Sequence, residues 1–261
     1  MTFIDISTSE EPLNKKDEKS KSTTNSTPQG SSQWGYDLYP ERRKKNVTTG
    51  ITALLEGKGR ENIDKVKCER TVYQCIKQSP IVKLMMGALK SSGCLVDIRR
   101  HISCEECAPT VSGGFDPILN QVVVCQNAVT KPGHVQAVLL HEMIHMFDYC
   151  RHDLDFKNLD HLACTEIRAA NLAHCSFMSA WIQGDVSIFN IKESHQDCVK
   201  SKALSSILAA RNVTTAEAIE AVQRVFPKCY NDLEPVGRRI RRNSDDMFKA
   251  YAEGYYYGYD L

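Results

Sequence analysis

Long apolar runs are missing from this chain. No stretch approaches the roughly 18 to 20 apolar residues that a membrane-spanning helix needs. The longest candidates, Ile81 to Leu89 and Val135 to Leu140, are interrupted or too short. An excess of one charge is missing as well: 33 Lys and Arg stand against 32 Asp and Glu, a formal net of +1. That balance excludes a global electrostatic pull toward nucleic acid or membrane, and no nucleic-acid partner is expected. The N-terminus has no apolar segment of the secretory kind, and Asp5, Glu10 and Glu11 make it a poor Arg-rich, acid-poor transit peptide. A soluble or peripheral protein is expected, with its address not written at the start.

A second CxxC is also absent. Cys104 and Cys107 form one such pair, half of what a zinc ribbon requires. What the chain does have is eleven cysteines, dispersed from Cys68 to Cys229. They read either as small buried apolar residues or as a disulfide set of the kind that persists in oxidising compartments. Cys94 and Cys104 are separated by nine residues, a spacing met in proteins oxidised in the mitochondrial intermembrane space. An odd total leaves at least one free thiol if the rest pair within the chain.

With 261 residues, 42% of them hydrophobic, one compact domain with a tail is expected. Residues 1–33, rich in Ser, Thr, Lys and acids, read as a disordered tail. The folded domain spans 34–242, and 243–261 reads as a flexible C-terminal tail. Within the domain, aromatics from Trp34 onward lead into the basic cluster Arg42 to Lys45, either a solvated loop or a contact for acidic lipid or a partner. Apolar spacing from Asn62 to Lys90 predicts helix, broken near Ser79-Pro80. Leu95 to Arg99 alternates like a strand, and Gln121 to Gln126 reads as a second. Turn signals at Ser112-Gly-Gly and Asp116-Pro separate them, and Lys131-Pro-Gly closes the strand region. Two helices follow, from about His134 to Cys150 and from Asn158 to Trp181. The fold class is α+β: a small antiparallel or mixed sheet packed on a helix, with a helical C-terminal half.

The first of those two helices carries the chemistry. In His141-Glu142-Met143-Ile144-His145 the two histidines are four residues apart, so helical geometry sets both imidazoles on one face. That is how one helix offers two nitrogens to a zinc ion. Glu142 lies about 100° round the axis, beside the ion rather than on it. There it can hold a water, take its proton and pass it to a leaving amine. The flanking Val138, Leu139, Met143, Ile144, Met146 and Phe147 are uncharged, as a buried catalytic helix demands.

A catalytic zinc takes three protein ligands and keeps one position open. A third histidine six residues after the second, preceded by a glycine at the third, would mark one subclass. Those positions hold Arg151 and Asp148, and His152 is one residue out of register. Glu166 on the following helix, among Ala163, Ala169, Ala170 and Ala173, is the expected third ligand. Asp148 and His161 are the alternatives. Asp148, one turn after His145, could also receive that ring's second N–H. Asp153 and Asp155 read as a solvated acidic loop. His161 is a candidate for stabilising an oxyanion. The strand Gln121 to Cys125 is expected to offer an edge for an extended substrate.

HEMIHMFDYCRHDLDF followed by NLDHLACTEIRAANLAHC resembles the family of mitochondrial inner-membrane zinc metalloproteases that process an ATP synthase subunit and assist its assembly. Ser112-Gly-Gly-Phe-Asp-Pro and the scattered cysteines share the likeness, which covers roughly Trp34 to Arg242. The resemblance implies a zincin-like metalloprotease domain, with His141, His145 and Glu166 on Zn2+ and Glu142 as acid and base. It implies a peripheral position on the intermembrane-space side of the inner membrane, with cysteines oxidised during import by the disulfide relay there. The implied substrate is the N-terminal presequence of the membrane-embedded ATP synthase subunit 6, or a. A chaperone role in assembling the membrane sector, partly independent of proteolysis, is implied beside it. In that alternative the zinc is mainly structural.

Overall fold

The computed structural model describes residues 58–129, 131–175, 191–241 and 244–261. The tail expected over 1–33 and the basic cluster Arg42 to Lys45 lie outside these residues. Helix α1 (Lys58–Gln78) and helix α2 (Pro80–Ser91) are separated by a single residue. Ser79 takes extended backbone angles and its hydroxyl accepts the Val82 N–H, while Pro80 sits in the first turn where its missing donor costs nothing. The predicted break is therefore a helix start. Beyond it, Ile81, Val82, Leu84, Met85 and Leu89 are fully buried.

The strand expected over Leu95 to Arg99 is not there. The Asp97 carboxylate accepts the Arg99 N–H and opens a short helix, α3 (Ile98–His101). Strand β1 (Ile102–Glu105) begins only after it. The apolar alternation misled because Leu95, 69% exposed, buries nothing, and a capping carboxylate competes directly with a strand ladder.

Strands β2 (Gly113–Asp116) and β3 (Gln121–Cys125) complete a three-stranded mixed sheet in the order β1-β3-β2. β1 pairs parallel to β3 with Ile102 opposite Val122, and β2 pairs antiparallel with Asp116 opposite Gln121. Side chains alternate: Val122 and Val124 join the helical core, while Val123 and Cys125 meet Cys107 and Val111 on the other face. Because β3 is the central strand, both its edges carry ladders, and the substrate edge expected at Gln121 to Cys125 does not exist.

Helix α4 (Pro132–Arg151) has every residue from Val138 to Asp148 buried. A helix buried on all sides lies between packed layers. On one side are α1, α2 and the sheet, sharing a core with Leu139, Met143 and Met146. On the other is α5 (Leu159–Ala169), started by Asn158, whose side chain accepts the Asp160 and His161 N–H groups. Its predicted extension continues as one π turn, Ala170–His174. The stretch Ser176 to Trp181 lies outside the described residues. Helices α6 (Ile191–Ala210) and α7 (Thr215–Asn231) pack on α5 around Leu162, Ile167, Ile207 and Phe226. Thr214 and Glu217 cap α7 reciprocally.

The flexible tail expected over 243–261 is instead helix α8 (Asp246–Gly254) and a 3-10 turn, Tyr255–Tyr257. Two glycines admit it. A Cβ on Gly254 would lie 2.6 Å from Leu84 Cδ1, and one on Gly87 would lie 2.6 Å from Leu261 Cδ2. Ala250 and Tyr259 are buried there. The Tyr and Gly content suggested looseness, but the apolar face of α8 finds α2.

All eleven cysteines are placed. Cys68–Cys104, Cys94–Cys150 and Cys107–Cys125 tie together α1, the sheet region and α4. Cys164–Cys229 and Cys175–Cys198 lie within the helical half. Cys75 is the buried thiol left over. Cys104 and Cys107 each pair elsewhere, so the CxxC is no metal site, and Cys94 does not pair with Cys104.

Candidate metal centre

His141 and His145 point their Nε2 atoms at each other, 3.0 Å apart, from adjacent turns of α4. Glu166 arrives from α5 with Oε2 3.4 Å from His141 Nε2 and Oε1 3.6 Å from His145 Nε2. Ligand atoms around a tetrahedral zinc at the usual bond lengths lie about 3.3 Å from one another, so the three separations fit one small ion. All three residues are buried, and Glu166 Oε2 has no hydrogen-bond donor among the described residues. A buried carboxylate that faces an imidazole nitrogen with each oxygen and leaves one oxygen unpartnered calls for a cation. The Ala163, Ala169 and Ala170 side chains, all buried, let α5 approach closely enough to deliver it.

The far sides of the rings are fixed by a hydrogen-bond chain. His145 Nδ1 lies 2.9 Å from Thr165 Oγ1, and that hydroxyl donates to Asp148 Oδ2 at 2.7 Å. Arg168 in turn holds Asp148, with Nε 3.0 and 3.1 Å from its two oxygens and Nη2 at 2.8 Å. The Thr165 hydroxyl has one proton, and the carboxylate takes it. The hydroxyl must therefore accept from His145 Nδ1–H, which leaves the Nε2 lone pair for a metal. Asp148 thus acts on the ring through Thr165, not directly as expected, and it is not one of the three converging groups. On the other ring, His141 Nδ1 lies 3.0 Å from His174 Nε2, a residue delivered by the π turn.

Charge balance points the same way. Burial is the largest influence on His145 and lowers its pKa to about 4, with Glu166 opposing and His141 and Arg168 assisting. The ring is therefore neutral at pH 7 and able to ligate. Burial tends to raise the Glu166 carboxyl, but His145, His141 and a hydrogen bond from the Ser206 side chain outweigh it and hold it below its ordinary value. Burial tends to lower His141, yet Glu142 and Glu166 together raise it. Two carboxylates facing two rings thus draw positive charge into the site.

Glu142 is buried between α4 and β2, and burial raises its carboxyl to about 7, opposed by His141 and reinforced by Glu166. Gly113 makes that contact possible. A Cβ there would lie 2.4 Å from Val138 Cγ1, 2.8 Å from the Val123 carbonyl oxygen and 3.3 Å from Glu142 Oε1. Phe115, Tyr149 and Phe156 form an aromatic wall with centroids 5.9 to 6.0 Å apart, and Phe156 reaches within 6.5 Å of the His145 ring.

Other sequence candidates fall away from this centre. His161 is exposed and its Nδ1 accepts the Asp155 N–H at 3.2 Å, so it neither ligates nor stabilises an oxyanion here. His152 is exposed at the α4 C-terminus, and Asp153 and Asp155 sit on the loop beyond it. Thr165, Arg168 and His174 were not anticipated. A sequence signal existed for His174, which lies two helical turns beyond Glu166, but its approach to His141 depends on the π turn.

Comparison with known proteins agrees with this geometry. Residues 66–237 match the Peptidase M76 family. The "Mitochondrial inner membrane protease ATP23 homolog" of Danio rerio is 42% identical over 229 residues, covering 85% of each chain. The homologue of that name from Homo sapiens is 45% identical over 174 residues, 66% of this chain and 70% of that one. The "Mitochondrial inner membrane protease ATP23" of Saccharomyces cerevisiae is 33% identical over 210 residues, 74% and 92%. No solved structure matches. With its His-x-x-x-His pair and Glu166 gathered at one buried centre, this chain belongs to the Peptidase M76 family of metalloproteases.

Proposed function

We propose that this chain is a zinc-dependent endopeptidase with a zincin-like active site, in which His141, His145 and Glu166 hold the ion and Glu142 is acid and base. The convergence of those three side chains, with the Glu142 carboxylate beside them, carries the reading. Two imidazoles and one carboxylate suit zinc. When bound, zinc supplies Lewis acidity toward a carbonyl and acidifies a water molecule. Glu142 takes the proton from the attacking water and returns it to the leaving nitrogen, a role that suits a carboxyl tuned toward neutrality. Thr165 and Asp148 hold His145 in the ligating tautomer, and His174 Nε2 is placed to accept the N–H of His141 Nδ1. With β3 central in the sheet, the outer strand β2, whose Gly113 abuts Glu142, is the strand along which an extended substrate would lie.

The proposed substrate is the N-terminal presequence of the membrane-embedded ATP synthase subunit 6, or a. The proposed location is peripheral, on the intermembrane-space face of the mitochondrial inner membrane. Relatives named as inner-membrane proteases support that address, and so do five disulfides, which persist in an oxidising compartment after import through its disulfide relay. Among the described residues no helix is long and apolar enough to cross a bilayer. An assembly chaperone role for the same hydrophobic subunit completes the proposal. Glu142→Gln tests both parts, because it removes the base and keeps the volume. Precursor cleavage should fall by about 100-fold or more while zinc content persists. Normal precursor maturation in that variant refutes the protease reading, and loss of membrane-sector assembly together with cleavage refutes an independent chaperone role.

A further inference from the structure

One end of the sheet presents large apolar side chains to solvent beside a pair of arginines. Ile118 and Leu119, at the tip of the β2–β3 hairpin, are 63% and 54% exposed, and Leu95 is 69% exposed. The tip is built to present them. Asp116 Oδ1 accepts the N–H groups of both Ile118 and Leu119, at 2.9 and 3.1 Å, and Asn120 closes the turn at φ 49°. Arg99 and Arg100 on α3 are exposed next to it, since Gln121 Nε2 donates to the Arg100 carbonyl at 2.9 Å. The register agrees: Ile102 lies opposite Val122 on parallel strands, so α3 and the hairpin tip project from the same end. Cys94–Cys150 and the Phe115–Tyr149 ring contact bring the Leu95 segment and the end of α4 to that end too. The carboxylate of Asp97 is turned onto the Arg99 N–H, and no ion pair holds Arg99 or Arg100 among the described residues.

Apolar residues raised on a hairpin tip and flanked by cations match the surface of a bilayer containing anionic phospholipid. The tip enters the acyl boundary and the guanidiniums pair with headgroup phosphates. We propose that this hairpin end is the membrane-docking surface of the protein, with Ile118, Leu119 and Leu95 inserting and Arg99 and Arg100 binding anionic lipid. The proposal rests on the peripheral-membrane reading above and gives that reading an orientation. The aromatic wall of Phe115, Tyr149 and Phe156 runs from this end toward His145, so a protein docked this way turns that side of its metal centre to the membrane.

The test is flotation of the zinc-loaded full chain with vesicles of phosphatidylcholine alone and of phosphatidylcholine with phosphatidylglycerol. Wild type should float with the anionic vesicles. Arg99→Gln with Arg100→Gln should weaken partitioning about thirtyfold, at about fivefold per cation near an anionic surface. Ile118→Ser with Leu119→Ser should weaken it at least tenfold, on the order expected for withdrawing two apolar side chains. These residues are exposed, so melting temperature and zinc content should match wild type. A control, Ile219→Ser on the exposed side of α7, a helix packed on α5 and α6, should float like wild type. If wild type floats and the hairpin variants float equally well, the docking surface is elsewhere and only this inference fails. A control variant that loses flotation has the same meaning. If wild type floats with neither vesicle, the peripheral reading fails with it. Unchanged flotation with a raised KM for a soluble peptide assigns the patch to substrate and overturns the proposal.

Discussion

Thr165→Val isolates the hydrogen-bond chain behind the metal centre. The substitution keeps the branched shape and removes one hydroxyl, which accepts from His145 Nδ1 and donates to Asp148 Oδ2. Both partners are buried, at 4% and 3% exposure, so neither recovers its lost bond from water. Asp148 keeps the Arg168 guanidinium, but the His145 N–H is left without an acceptor. An orphaned buried donor costs about 1 to 3 kcal/mol. The ring can escape by moving its proton to Nε2, which surrenders the ligating lone pair. Either route falls on metal binding, so zinc affinity should drop about 10- to 100-fold, the usual scale for losing such an outer partner. Competition with a chromophoric chelator measures it directly. Thr165→Ser restores the hydroxyl and should recover most of the affinity, which separates the hydrogen bond from packing. A Thr165→Val protein that binds zinc within twofold of wild type would refute the assignment of the His145 tautomer.

Glu142 must be ionised to accept a proton, so activity is present above its pKa and lost as pH falls through it. Burial places that value at about 7 and a bound cation draws it lower, so the acid limb of kcat/KM should lie at or below about pH 7; activity that rises on acidification through this range contradicts the role. Among the disulfides, Cys164–Cys229 closes 65 residues and Cys107–Cys125 only 18. Loop entropy then assigns about 4 and about 3 kcal/mol respectively, so the serine pair at 164 and 229 should lower denaturant stability by about 1 kcal/mol more. The reverse order would show that native packing, not chain entropy, sets their worth.

Legibility in the sequence followed the range of the interaction. His141, Glu142 and His145 are readable because four-residue spacing on a helix is a local fact. Glu166 was readable at one remove, since few acids on the second helix could sit among alanines. Thr165, Arg168 and His174 were not, because their roles exist only once α5 lies against α4 and the π turn advances the chain. Two local readings failed against other local chemistry or topology: Asp97 caps a helix where alternation suggested a strand, and the Val-rich run at 122–124 became a central strand where an edge was expected. The Tyr-rich end looked loose because its docking depends on the absence of a Cβ at Gly87 and Gly254, which no periodicity records.

The covalent cross-links respect a boundary that the metal does not. Three bridges close the block that contains α4, two close the block that contains α5, and none passes from one to the other. The ion's donors straddle that seam, two imidazoles on one bank and a carboxylate on the opposite one. Oxidation therefore rivets each half separately, and a bound ion would add a stitch across the seam beside the Thr165–Asp148 and Arg168–Asp148 contacts. A chelator would do to this molecule what a reductant cannot: leave both halves individually intact while loosening the one against the other.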